Sequence, residues 1–248
     1  MRTYMKTRIA VTFFVGLLTM GAAWASATPI TIPPGLNPGD HYFLAFVTAG
    51  YRDATSSNIA DYDLFVTTQA LLSPALAALS TSWKVIGSTG TVDAVTHIAV
   101  TAPVYRLDGV EIASGSADMF DGTLDASLSI DQYGTHAPAF SFPDSFPFTG
   151  SGSDGHRERD GHYLGPLIGA VAVGYFAATS IGWLAVDLLN KNLSSTFYGI
   201  SGELEVPQPV PEPATITLLL GPALVLLRTR RRRARLATPA TRSDPASH

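Results

Sequence analysis

Arginine bounds an apolar run at each end of this 248-residue chain. Near the N-terminus, Arg2, Lys6 and Arg8 precede an apolar stretch from Ile9 to about Ala23. Near the C-terminus the order is reversed: the apolar stretch Ala214 to Leu227 precedes Arg228, Arg230, Arg231, Arg232, Arg233 and Arg235. Positive charge flanking an apolar segment stays on the cytoplasmic side of a bilayer, so each pattern alone sets an orientation. Both place the residues between them on the far side of the inner membrane. Whatever the middle folds into, it must do so after export.

The first 25 residues have the order of a signal peptide: a basic start, an apolar run, then small residues. Ala23 and Ala25 flank Trp24, an A-x-A site that predicts cleavage by signal peptidase before Ser26. Ala25-Ser26-Ala27 offers a second site, before Thr28. Turn-forming residues follow at Pro29, Pro33, Pro34 and Gly35. At the other end, residues 214–227 predict a transmembrane helix about 21 Å long, against a hydrocarbon core of roughly 30 Å. Snorkelling arginines and local thinning of the bilayer make up part of the difference. Residues 228–248 then form a basic cytoplasmic tail, and 207–213 a linker ahead of the helix.

Charge separates the middle from the ends. Six of the 16 basic residues and 18 of the 20 acidic residues lie in the middle, a net charge of −12. Such a body repels nucleic acid and anionic headgroups. The chain has no cysteine, which removes disulfides, thiolate metal sites and cysteine nucleophiles together. An exported domain without disulfides depends on core packing alone.

Pro211-Glu212-Pro213, a short apolar helix and an arginine cluster, in that order, resemble the PEP-CTERM sorting signal of Gram-negative bacteria. The resemblance covers about 25 residues. It implies that the chain is a substrate of exosortase, a membrane transpeptidase-like enzyme, with Pro211, Glu212 and Pro213 as the recognition element. It also implies a setting among systems that make extracellular polysaccharide, a possible partner. Thirteen residues, Leu236 to His248, trail beyond the basic cluster, more than such tails usually carry.

The middle, 28–206, reads as one α+β domain. His41 to Ala49 is aromatic and β-branched and predicts a buried strand. Ile59, Tyr62, Phe65, Val66 and Gln69 to Leu72 recur at helical steps, after a polar segment, Asp53 to Ser57, suited to capping. Pro74 predicts a restarted helix over Ala75 to Leu79. Trp83 to Ile86 predicts a strand. Pro103 to Leu107 and Val110 to Ala113 flank Asp108-Gly109, a hairpin turn signal. Thr135 to Gly161 is a long polar and aromatic loop. Within Leu164 to Ala178, alternation of small and large residues favours a buried strand over a second membrane span. Ile181 to Ala185 and Phe197 to Val206 predict two more strands. The expected product is an N-terminal strand, a helical pair and a loop-rich, mainly antiparallel sheet.

The segments Phe46-Val47-Thr48, Ile59-Ala60-Asp61, Trp83 and Tyr105 to Asp121 are similar to a body that recurs above PEP-type tails. More loosely they are similar to C-type-lectin-like and endostatin-like domains. The cysteines common in those domains are absent, as is their calcium-dependent sugar-binding tripeptide, so the resemblance does not by itself imply sugar binding.

No nucleophile elbow, phosphate-binding glycine loop or His-Glu-x-x-His zinc motif is present. His156 and His162, with Asp154 and Asp160 near them, lack the spacing of a zinc site and read as a solvated loop. Asp118, Asp121 and Asp125 are weak candidates for calcium, which takes six to eight oxygens. Trp83 and Trp183 read as core residues rather than sugar platforms. The expectation is a noncatalytic protein with no cofactor, exported, held transiently at the inner membrane, then placed in the cell envelope or outside the cell as a structural or interaction module. Two alternatives stand beside it. One is a carbohydrate- or calcium-binding lectin-like module. The other is an envelope hydrolase, which a concave pocket holding a histidine with an orienting partner would favour.

Overall fold

The computed structural model of the chain describes residues 28–137, 141–166 and 169–209. Ala23, Ala25, the Pro211-Glu212-Pro213 motif, the apolar run 214–227 and the arginine cluster lie outside the described residues. Among the described residues, no helix is long and apolar enough to cross a membrane. Their fold is mixed helix and sheet, with mainly antiparallel pairing.

The described residues fall into two units. The smaller holds 37–40 and 205–209, where the Gly39 N–H donates to the Val206 carbonyl and the Val206 N–H to the Asp40 carbonyl. The larger holds 28–36 and 41–204 and carries the core. Its central strand is β1 (His41–Val47). Helices α1 (Ile59–Leu71) and α2 (Pro74–Ala77) follow, then β2 (Trp83–Val85) and α3 (Ala94–Ile98). The hairpin β3 (Val104–Arg106) and β4 (Glu111–Ala113) turns at Asp108-Gly109. After α4 (Ser116–Met119) comes a long stretch of turns and isolated bridges. Then come β5 (Ala170–Val173), β6 (Asp187–Asn190), β7 (Tyr198–Ser201) and β8 (Leu204–Glu205).

The main sheet runs β2-β7-β1-β3-β4. Strand β1 pairs antiparallel with β7, Phe46 opposite Gly199, and parallel with β3, Leu44 opposite Tyr105. Strands β5 and β6 form a separate antiparallel ribbon. Both faces of β1 are covered, which is why its sequence reads as a continuous apolar run rather than an alternation. Phe43, Ala45 and Val47 join the cluster containing Ile112, Met119, Leu128, Trp183 and Ile200. Alternate residues Tyr42, Leu44 and Phe46 are also buried, and the Phe46 ring stands edge-on to Trp83 at 5.3 Å.

Helix α1 begins at Asn58, whose side-chain oxygen accepts from the Ala60 N–H, a standard cap for an otherwise unpaired donor. Tyr62, Val66 and Ala70 make its buried stripe. Leu64, Leu71 and Leu72 are more than half exposed, so the inner face is narrower than the apolar pattern predicts. Ser73 is extended because Pro74 follows it, and Pro74 opens α2 at the position where a missing N–H costs nothing.

Two strand expectations are corrected. Ile181 to Ala185 is not a strand: Ile181–Trp183 is a turn of 3-10 helix, which delivers the Trp183 ring into the core. Phe197 to Val206 is not one strand but two, broken at Gly202, whose N–H donates to the Ser82 carbonyl and where a Cβ would stand 3.0 Å from Ser82 Oγ.

Glycine is required at 199 for a different reason. A Cβ there would sit 2.9 Å from the Phe46 ring and 3.4 Å from Val66. Gly199→Ala is expected to lower stability by about 1–3 kcal/mol, the usual cost of overpacking a core. Urea denaturation checks this; an unchanged midpoint would show that the contact between β7 and Phe46 is slack.

Candidate functional site

The loop 150–158 is a tight hairpin. Ser151 and Arg157 bridge antiparallel, the Gly152 N–H donates to the His156 carbonyl at 2.8 Å, and the Gly155 N–H to the Gly152 carbonyl at 3.0 Å. Asp154 Oδ1 accepts from the His156 N–H at 3.0 Å, an Asx turn. Gly155 has φ +73, and a Cβ there would lie 2.5 Å from the Phe120 ring.

This hairpin is joined to the start of α3. The Ala94 N–H donates to Ser88 Oγ and the Val95 N–H to the Gly155 carbonyl, so donors left unpaired by the helix are taken up by neighbours. Ser88 Oγ also bonds Ser151 Oγ at 2.8 Å. The side chain of Asp93, at the N-cap position, makes no capping bond. Its carboxylate turns to the hairpin instead. Oδ1 accepts from the Arg157 N–H and from Arg157 Nε, both at 3.0 Å, and Oδ2 stands 3.2 Å from His156 Nδ1. Arg157 Nη1 donates to the Gly90 carbonyl. Burial pushes the Asp93 carboxyl up, but the bonds from Arg157 and His156 outweigh it and hold the group below its ordinary value. With a carboxylate facing Nδ1, the hydrogen-bond network assigns the ring proton to that nitrogen and leaves Nε2 as an acceptor.

Beside the hairpin lies a cleft of about 610 Å³, walled by Gly152 to Asp154, His156 to Arg159, Ile181 and Ala185. Its lining carries two carboxylates, two guanidinium groups and an imidazole within one concave surface. Of the histidine–aspartate group considered from the sequence, His156 and Asp154 stand here. His162 points elsewhere, Nδ1 3.2 Å from the Ala170 carbonyl. The residue that organises the site, Asp93, carries no local signal; it lies 63 positions before His156.

The calcium candidates are not drawn together. Asp118 Oδ2 accepts from the Ser114 N–H at 2.6 Å, and Asp121 Oδ1 from the N–H and hydroxyl of Thr123, each at 2.8 Å. Those bonds, the hydroxyl first, keep the Asp121 carboxyl below its ordinary value. Asp125 is fixed through its backbone, whose N–H donates to the Ile112 carbonyl. Among the described residues no group of three or more His, Asp or Glu is close enough to hold a metal ion. Trp83 and Trp183 are buried and offer no ring face to a sugar.

No protein-family model matches the chain, and no curated protein matches it.

Because the folded pKa of Asp93 lies below the ordinary 3.8, the stability it contributes is complete above that pH and is lost as pH falls through the lowered value. Asp93→Asn is therefore expected to destabilise the protein at pH 7, on the order of 1 kcal/mol for a partly exposed pair. The gap to the parent should narrow as pH falls below 3.8. Denaturant titrations across that range check it; a gap independent of pH would remove the carboxylate from this role.

Proposed function

We propose that this chain is an exported, C-terminally sorted protein of the envelope or extracellular matrix, and that its body is a noncatalytic interaction module. Residues 1–25 are the signal peptide and 28–206 the exported α+β domain. Residues 207–213 link it to a membrane helix at 214–227, and 228–248 is the basic tail that stays in the cytoplasm. Exosortase is the processing enzyme that the C-terminal resemblance implies.

The observation that carries this is the pair of arginine-bounded apolar runs, which agree on orientation, together with Pro211-Glu212-Pro213 directly before the second. A second reading, an envelope hydrolase, is favoured by one observation, the His156 ring oriented by Asp93 at the rim of a cleft. The binding reading is preferred. The His156 side chain is 59% exposed, and among the described residues no hydroxyl is bonded to its Nε2 as a nucleophile would be.

Intact mass of the protein recovered from outside its native cell tests the proposal. The expected species lacks residues 1–25 and the segment beyond the Pro-Glu-Pro site. The triple variant P211A/E212A/P213A should keep its C-terminal segment and remain with the inner membrane. Recovery of a species that retains both Met1 and His248 would contradict the account of the two ends.

A further inference from the structure

Six cationic side chains lie in the body, and five have partners inside it. Arg52 stands 4.5 Å from the centre of the Tyr62 ring. Lys84 Nζ donates to the His97 carbonyl at 2.7 Å. Arg106 makes two bonds to the Asp108 carboxylate and one to the Ser127 carbonyl. Arg157 is held by Asp93. Lys191 is buried, with Nζ 2.9 Å from the Gly161 carbonyl. Among the described residues the sixth, Arg159, has no partner for its guanidinium; only its backbone is engaged, the N–H by Glu158 Oε1 at 3.0 Å and the carbonyl by the His162 N–H at 3.1 Å.

An uncommitted guanidinium is unusual in a body of net charge −12, and this one lines the cleft. Its planar fork matches a carboxylate with two parallel hydrogen bonds. Arg157 also lines the cleft, but its guanidinium is committed to Asp93 and the Gly90 carbonyl. The Ser153 hydroxyl can donate or accept. The ionisable groups that remain have the opposite character to Arg159. Asp154 and Glu158 are acceptors, and His156 Nε2 is an acceptor in the tautomer that Asp93 selects. These groups receive hydroxyl protons. Ile181, 61% exposed, adds an apolar surface for C–H groups. A ligand that satisfies all of this carries one carboxylate and several hydroxyls on a compact ring. A phosphate dianion would set two charges against Asp154 and Glu158, and a peptide would bring few hydroxyls.

We propose that the cleft binds a uronic-acid saccharide, with the carboxylate on Arg159 and ring hydroxyls donating to Asp154, Glu158 and His156 Nε2. The assignment rests on the reading of the body as an interaction module and names the class of its ligand.

Calorimetric titration of the full chain in detergent tests it, using trigalacturonate, the neutral galactose trimer and free galacturonate. Trigalacturonate should bind at least about tenfold tighter than the neutral trimer. Arg159→Ala should remove that difference with the thermal midpoint unchanged, since the side chain is exposed; Arg159→Lys should restore part of it. Glu158→Gln should weaken both trimers alike. Tighter binding of the trimer than of free galacturonate assigns the site to a polysaccharide, and equal binding to the free acid; both support carboxylate recognition. Equal affinity for acidic and neutral trimers, binding to neither, or an undiminished preference in Arg159→Ala would overturn it. Release of new reducing ends would overturn the noncatalytic reading in favour of hydrolysis. Export and sorting are read by mass alone, so failure here leaves them standing.

Discussion

With no cysteine to staple it, the body holds its shape through packing, and the packing is organised by β1. The strand hydrogen-bonds to β3 on one side and β7 on the other, and its two faces both go into the core. Removing one large aromatic from such a position costs about 3–5 kcal/mol, a large share of the stability of an ordinary domain. The elements around β1 are short and joined by long loops. They keep their places because β1 offers each of them a fixed surface. The glycine opposite Phe46 shows how closely that surface is filled.

The cleft depends on this frame at one remove. Helix α3 follows β2 in the chain, and the Lys84 side chain ties β2 back to α3 through the His97 carbonyl. His97 in turn stands 2.9 Å from Asp63 of α1. Asp93, at the head of α3, is thereby placed to hold the hairpin 150–158. One carboxylate fixes the Arg157 backbone, its side chain and the His156 ring. Arg159, two residues further on, lines the cleft, and among the described residues its guanidinium has no hydrogen-bond partner. A rigid anchor beside a free cation is the arrangement expected of a preorganised binding surface.

Much of the frame is legible in the sequence, because its signals are local. The Asp108-Gly109 turn, the unbroken apolar run of β1 and the restart of helix at Pro74 each follow from a few adjacent residues. Helices α3 and α4, of five and four residues, are too short to show a helical period. Strand β6 buries only Leu189 and so has little alternation to read. Ile181 to Ala185 misleads because its Trp and Ile suit a strand equally well; Trp183 is buried by tertiary packing rather than by a sheet register. The cleft was legible only in part. His156 and Asp154 stand in a loop whose sequence reads as solvated, and the partner that orients His156 is Asp93. A polar residue that organises a loop 60 positions away leaves no pattern along the chain.

The central claim is the orientation: an acidic body on the outer side of the inner membrane, with arginines at both ends left behind. A reporter enzyme that folds only after export, inserted after Val206 in the full chain, tests it most directly. The account predicts activity there, and none when the same reporter follows His248. Activity after His248 with silence after Val206 would invert the topology and contradict it.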